Sequence, residues 1–166
     1  MKVLAIAVAV MALAAAKAKP GASSKAGGGA DPNESLAKSY GGKVWSQEQP
    51  PPASGEALRS WLSSHPADAE LVRKAKDGPW SVNYLAVFKK PAAKGPVTVQ
   101  FFDKKDPHNV VDQYSPANDT ATIVYQGSYE LDPDHGFNKG HTYLVKVGQI
   151  IKGKFQPYAT GQLTLK

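Results

Sequence analysis

Cysteine is absent from the 166 residues. That excludes a disulfide framework, a thiol nucleophile, a cysteine zinc site, an iron–sulfur cluster and the acylated cysteine of a bacterial lipoprotein. Arginine is scarce, with Arg59 and Arg73 the only two. Nucleic-acid binders cluster Lys and Arg among stacking aromatics and read bases with arginine forks, so this inventory argues against nucleic acid. The signatures G-x-S-x-G, H-E-x-x-H, the phosphate loop and G-x-G-x-x-G do not occur, which leaves an enzyme without a local motif. Long apolar runs are missing too. The longest, Val3 to Ala16, has fourteen residues, about 21 Å as a helix against a hydrocarbon core of roughly 30 Å.

That run follows Met1-Lys2 and precedes Lys17-Ala18-Lys19-Pro20. The pattern is that of a secretory signal peptide over residues 1–18, with cleavage after Ala16 or Ala18. The expected address is therefore periplasmic or secreted, with membrane contact only through the signal peptide if it is uncleaved. The formal charge of +6 falls to +4 once Lys2 and Lys17 are removed. The remaining lysines are spread thinly, as on a solvated surface with protected strand edges, and leave open an attraction to anionic lipid or polysaccharide.

Residues 19–53 have the composition of a Gly/Ser/Pro-rich linker: Gly21-Ala22-Ser23-Ser24, Gly27-Gly28-Gly29 and Pro50-Pro51-Pro52. Such a stretch buries too little apolar surface to offset its ordering entropy, so it is expected to be disordered. Tyr40 and Val44-Trp45 are the exceptions, either docking on the folded part or standing exposed. A helical segment over 54–78 follows. Leu58, Trp61 and Leu62 fall on one stripe, and Ala67-Asp68-Ala69-Glu70 leading to Arg73-Lys74-Lys76 suits a second helix by its charge order.

From Trp80 the period changes to two. Trp80, Val82, Tyr84, Ala86 and Phe88 alternate, as do Val97, Val99 and Phe101, then Ile123, Tyr125, Gly127, Tyr129 and Leu131. A weaker strand lies near 109–114. Tyr143, Val145 and Val147 define a fifth, and Phe155, Ala159, Gly161, Leu163 and Leu165 a sixth beyond the turn at Lys152-Gly153-Lys154. Short strands at this spacing predict a mainly β domain over 79–166, an antiparallel β-sandwich of six to seven strands.

The stretch from Leu131 to Val147, with Asp132-Pro133-Asp134-His135-Gly136 before Tyr143, resembles the tyrosine corner of immunoglobulin-like and fibronectin type III-like β-sandwich domains. The resemblance implies that the Tyr143 hydroxyl bonds back to upstream backbone. It departs from the family in having no cysteine pair and no evident strand before Trp80. Because such folds host many roles, the resemblance does not select a function.

Strand parity makes two further predictions. Leu85, Val87 and Val124 face outward and need a cover, which the stripe of Leu58, Trp61, Leu62, Leu71 and Val72 supplies, so the helices pack on that sheet. On the other sheet Phe102, Leu144 and Tyr158 face outward, ringed by Gln100, Lys146, Thr160 and Gln162, a candidate binding patch. For a metal, Asp132, Asp134 and His135 are weak candidates. Neighbouring Gly136, Phe137 and Tyr143 do not match a helix-loop-helix calcium site, and His135 and His141 fit no zinc spacing. Aspartates beside proline and glycine are ordinary turn formers. No metal and no cofactor are expected.

These features together predict an exported, non-catalytic module acting as an interaction or structural protein, with another envelope protein or a glycan as partner. The alternatives are a carbohydrate-binding module, a calcium-dependent adhesion module, and a small secreted hydrolase using carboxylates such as Asp103 and Asp134 across a cleft.

Overall fold

The computed structural model describes residues 32–72 and 78–166. The expected signal peptide, residues 19–31 of the expected linker, and Arg73, Lys74 and Lys76 lie outside the described residues. In chain order the elements are α1 (Pro32–Tyr40), β1 (Lys43–Gln47), α2 (Gly55–Ser64), β2 (Ala69–Leu71), β3 (Trp80–Ala92), β4 (Thr98–Asp103), β5 (Asp106–Tyr114), β6 (Thr122–Leu131), a 3-10 turn (Pro133–His135), β7 (Thr142–Ile151) and β8 (Lys154–Leu165).

Among the described residues the fold is mainly β, with two helices. Its strands hydrogen-bond in the order β5-β4-β7-β8-β1-β3-β6, and β2 pairs with β8 off this path. The sheet is mixed: β1 and β2 run parallel to β8, whereas the other pairings are antiparallel. This corrects the expectation of a purely antiparallel arrangement. Its cause is that β1 and β2, from segments read as linker and helix, both align with the final strand.

The sheet curls on itself. Phe101 on β4 stacks on Tyr129 of β6 at 5.8 Å between ring centroids, and Tyr114 on β5 stacks on the same ring, although β5 and β6 are the opposite ends of the strand order. The enclosed core holds Trp80, Tyr84, Phe88, Val99, Tyr143 and Val145 with Leu163 and Leu165, as period-two alternation requires. Tyr143 is fixed at its rim. The Asn138 backbone N–H donates to its hydroxyl at 2.6 Å, and the hydroxyl donates to the Gly136 carbonyl at 3.3 Å.

A second apolar cluster lies on the outer face of β1, β3 and β6. Leu36, Trp45, Leu58, Leu62, Leu85 and Val87 meet there with Ile123, and Trp61 and Val124 pack at its margin. Leu58 and Leu62 are one helical turn apart and both buried, contributing roughly 1.5–3 kcal/mol each. The Arg59 guanidinium bonds the Ser35 hydroxyl at 2.7 Å and ties the helices together. Trp45 Nε1 donates to the His65 carbonyl at 3.2 Å, fixing the end of α2.

Two local expectations differ from this arrangement. Residues 32–40 and 43–47, read as linker, form α1 and β1, because Val44 and Trp45 enter opposite apolar clusters and the strand gains neighbours on both sides. The expected helix after Pro66 is instead β2, with Ala69 and Leu71 buried and Glu70 exposed. Pairing with β8 overrides the charge pattern there, and Leu71 joins the inner core while Val72 is 58% exposed.

Candidate functional site

The expected patch of Phe102, Leu144 and Tyr158 is not held together. Phe102 and Leu144 are cross-strand partners, but Phe102 is only 7% exposed and the Lys146 ammonium lies 4.0 Å from its ring centroid. The aliphatic stem and charge of Lys146 thus cover the ring. Tyr158 leaves the patch because the β7–β8 register shifts between Val147 and Gly148. Such a bulge re-aims a side chain, and here Tyr158 packs edge-on against Phe88 at 5.7 Å. The depression left beside Leu144, of about 400 Å³, is lined by polar groups including Asp68, Lys146 and Gln162.

The loop residues also diverge. Asp132 Oδ1 accepts the Asp134 backbone N–H at 2.9 Å, capping the 3-10 turn. His135 Nδ1 lies 3.5 Å from Asp112, while His141 Nδ1 meets Asp103 at 2.5 Å. Among the described residues no three His, Cys, Asp or Glu side chains converge as a metal site would need. Burial acts to raise the Asp103 carboxyl, but the Lys105 backbone N–H and then the His141 ring outweigh it, so its pKa lies below the ordinary 3.8.

The more promising surface is at the other end of the sheet, where β3 and β7 finish and β4 and β8 begin. There Lys89, Lys90, Pro91, Pro157 and Tyr158 line a groove of about 410 Å³. The β3–β4 loop beside it is braced by buried amides. Gln149 accepts the Ala93 N–H at 3.2 Å and donates to the Ala93 carbonyl at 3.0 Å, and Asn118 donates to that same carbonyl at 3.0 Å. Both amides are buried, so their hydrogen bonds hold the β3–β4 loop in one geometry. Beyond the groove the β7–β8 hairpin projects, with Ile150 53% and Ile151 39% exposed.

Strand parity does not single out these isoleucines, since the inward set on β7 ends at Val147. The available signal was Ile150-Ile151 directly before Lys152-Gly153-Lys154, two adjacent apolar residues where alternation can bury only one. Comparison with protein-family models, with curated proteins and with solved structures finds no match for this chain.

Proposed function

We propose that the chain is an exported, non-catalytic interaction or structural module of the cell envelope or secreted space, which works through the lysine-rich end of its sheet. The carrying observation is the groove of Lys89, Lys90, Pro91, Pro157 and Tyr158, beside a β3–β4 loop that the amides of Gln149 and Asn118 fix at Ala93. A fixed concave surface bordered by cations and apolar rings suits recognition. Among the described residues its lining holds no carboxylate, cysteine or histidine. Tyr84, Tyr114, Tyr125 and Tyr129 pack on the inner core. That removes them as a flat sugar platform and weighs against the carbohydrate-binding alternative.

For the fold, the immunoglobulin-like or fibronectin type III-like arrangement is the proposal that accommodates most features. Divided between β8 and β1, the strand order becomes two layers, β1-β3-β6 and β5-β4-β7-β8. The Tyr143 hydroxyl bonds upstream backbone in the manner of a tyrosine corner.

A photo-cross-linking amino acid replacing Lys90, with Ser60 on α2 as the control position, tests the interaction reading in the exporting host. Adducts at position 90 and none at 60 support it; adducts only at 60, or none, overturn it. The mass of the released chain tests export, since cleavage leaves Lys17 or Lys19 as the first residue.

A further inference from the structure

We infer that the β7–β8 hairpin and the lysines surrounding it form a docking tip for an anionic phospholipid surface. This deepens the interaction reading above, and rests on it, by naming what the lysine-rich end meets.

Three observations converge. The first is the hairpin. Ile150 pairs with the half-buried Phe155 and Ile151 with Lys154, and every residue from Ile150 to Lys154 is exposed. These isoleucines add nothing to the core, yet they present exposed apolar side chains at the end of the hairpin. The second is the turn. Lys152 has φ of 51° and Gly153 of 75°, the doubly left-handed geometry in which Asn-Gly is favoured. A lysine is held there against its backbone preference, and it is the one non-glycine with positive φ among the described residues. A residue kept in such a conformation points to a use for its side chain.

The third is the distribution of charge. The β3–β6, β4–β7 and β1–β3 registers place the ends of β3 and β7 and the start of β1 at one end of the sheet. Lys43, Lys89, Lys90, Lys94, Lys152 and Lys154 stand exposed there against a single exposed carboxylate, Asp119. At the opposite end Asp68, Glu70, Asp103, Asp106, Asp132 and Asp134 are interspersed with the exposed Lys104, Lys105, Lys139 and Lys166, so charge there is mixed. The local excess of lysine at the hairpin end favours its contact with a negative surface. A polyanionic glycan would use the lysines and ignore the isoleucines. A lipid leaflet uses both, with headgroup phosphates for the ammonium groups and the acyl boundary for Ile150 and Ile151.

The test is co-sedimentation of the exported chain with vesicles of phosphatidylcholine alone or mixed with phosphatidylglycerol, in low and high salt. The comparison variants are Ile150→Ser/Ile151→Ser and Lys152→Gln/Lys154→Gln, each first shown to melt like the parent. Binding that requires phosphatidylglycerol, weakens with salt and drops about tenfold in both variants is the expected result. Because the chain has no cysteine, an environment-sensitive fluorophore on Ile151→Cys reports insertion directly. It should shift to shorter wavelength on these vesicles, whereas the same dye on Ser60→Cys should not. No binding to phosphatidylglycerol vesicles overturns the inference, as does binding indifferent to the isoleucine pair, which would mark a general polyanion site. A cross-linked protein at position 90 without vesicle binding would overturn the lipid inference while leaving the interaction reading intact.

Discussion

Tyr114 and Tyr129 stack face to face, 4.2 Å between ring centroids and 6° from coplanar, although β5 and β6 exchange no ladder hydrogen bonds. The curled sheet is therefore closed at its seam by side chains. Tyr129 adds a hydrogen bond from its hydroxyl to Asp112 at 2.7 Å. Removing only that bond with Tyr129→Phe should cost about 1 kcal/mol, and Tyr129→Ala, which also loses the stack, about 3 kcal/mol. Urea unfolding of the two variants separates the contributions; equal losses would mean that the stack stabilises nothing.

The same cluster sets an alkaline limit. Burial, first of all, pushes Tyr84 up to about 12, and burial followed by the Asp112 carboxylate pushes Tyr129 up to about 12. Burial likewise raises Tyr114, Tyr125 and Tyr143. A phenol whose folded pKa exceeds its unfolded value of 10 stabilises the fold fully below that pH and progressively less as pH climbs through the folded value. Phenolate absorbance of these five should thus rise together with loss of β-sheet circular dichroism. Their ionisation in a chain that stays folded at pH 10 would contradict the buried placement.

On the acid side the sign reverses. Asp103 has a lowered pKa, so its contribution is full above the ordinary 3.8 and is lost as pH falls through the folded value. Asp103→Asn should reduce stability at neutral pH by about 1–2 kcal/mol. The difference from the parent should shrink as the pH is lowered, as followed by melting temperature. A difference that stays constant down to strong acid would show that the carboxylate's charge is irrelevant there.

Glycine replacements should rank by their surroundings. A Cβ at Gly161 would overlap the Val44 carbonyl oxygen, whereas one at Gly153 meets nothing and strains only a φ of 75°. Gly161→Ala is therefore expected to cost about 3 kcal/mol by forcing β1 from β8, and Gly153→Ala about 1 kcal/mol. Chemical denaturation gives both numbers, and the reverse order would sink the packing explanation.

Lys152→Asn should stabilise the hairpin by about 0.5–1 kcal/mol, because asparagine accepts the left-handed conformation more readily. A higher melting temperature with weaker binding to phosphatidylglycerol vesicles is the expected pair of outcomes; a lower melting temperature would contradict the strain reading.

What was legible in the sequence was whatever repeats. Tyr84, Ala86 and Phe88 lie inward, with Leu85 and Val87 on the outer face, because β3 is long enough for its alternation to register. The cover from Leu58 and Leu62 followed from helical spacing. Lys43–Gln47 is only five residues and is buried on both faces at Val44 and Trp45, so no alternation marks it, and glycines and prolines around it read as linker. Tyr158 departs from parity because the bulge at Val147/Gly148 interrupts the alternation of β8. The cover over Phe102 is not legible in the sequence, since the position of the Lys146 ammonium depends on side-chain packing.

The place of β8 between earlier strands bears on the order of events in synthesis. Lys43 pairs with Thr160, Leu71 with Leu165, and Trp80 Nε1 donates to the carbonyl of Lys166. β2 thus finds its partner strand, and β1 its second neighbour after β3, only once more than half the chain has followed them, and pairings so remote in sequence form slowly. A chain emerging N-terminus first therefore holds β2 unpaired until its last residues appear, so the final strand closes the sheet and sets when it is complete.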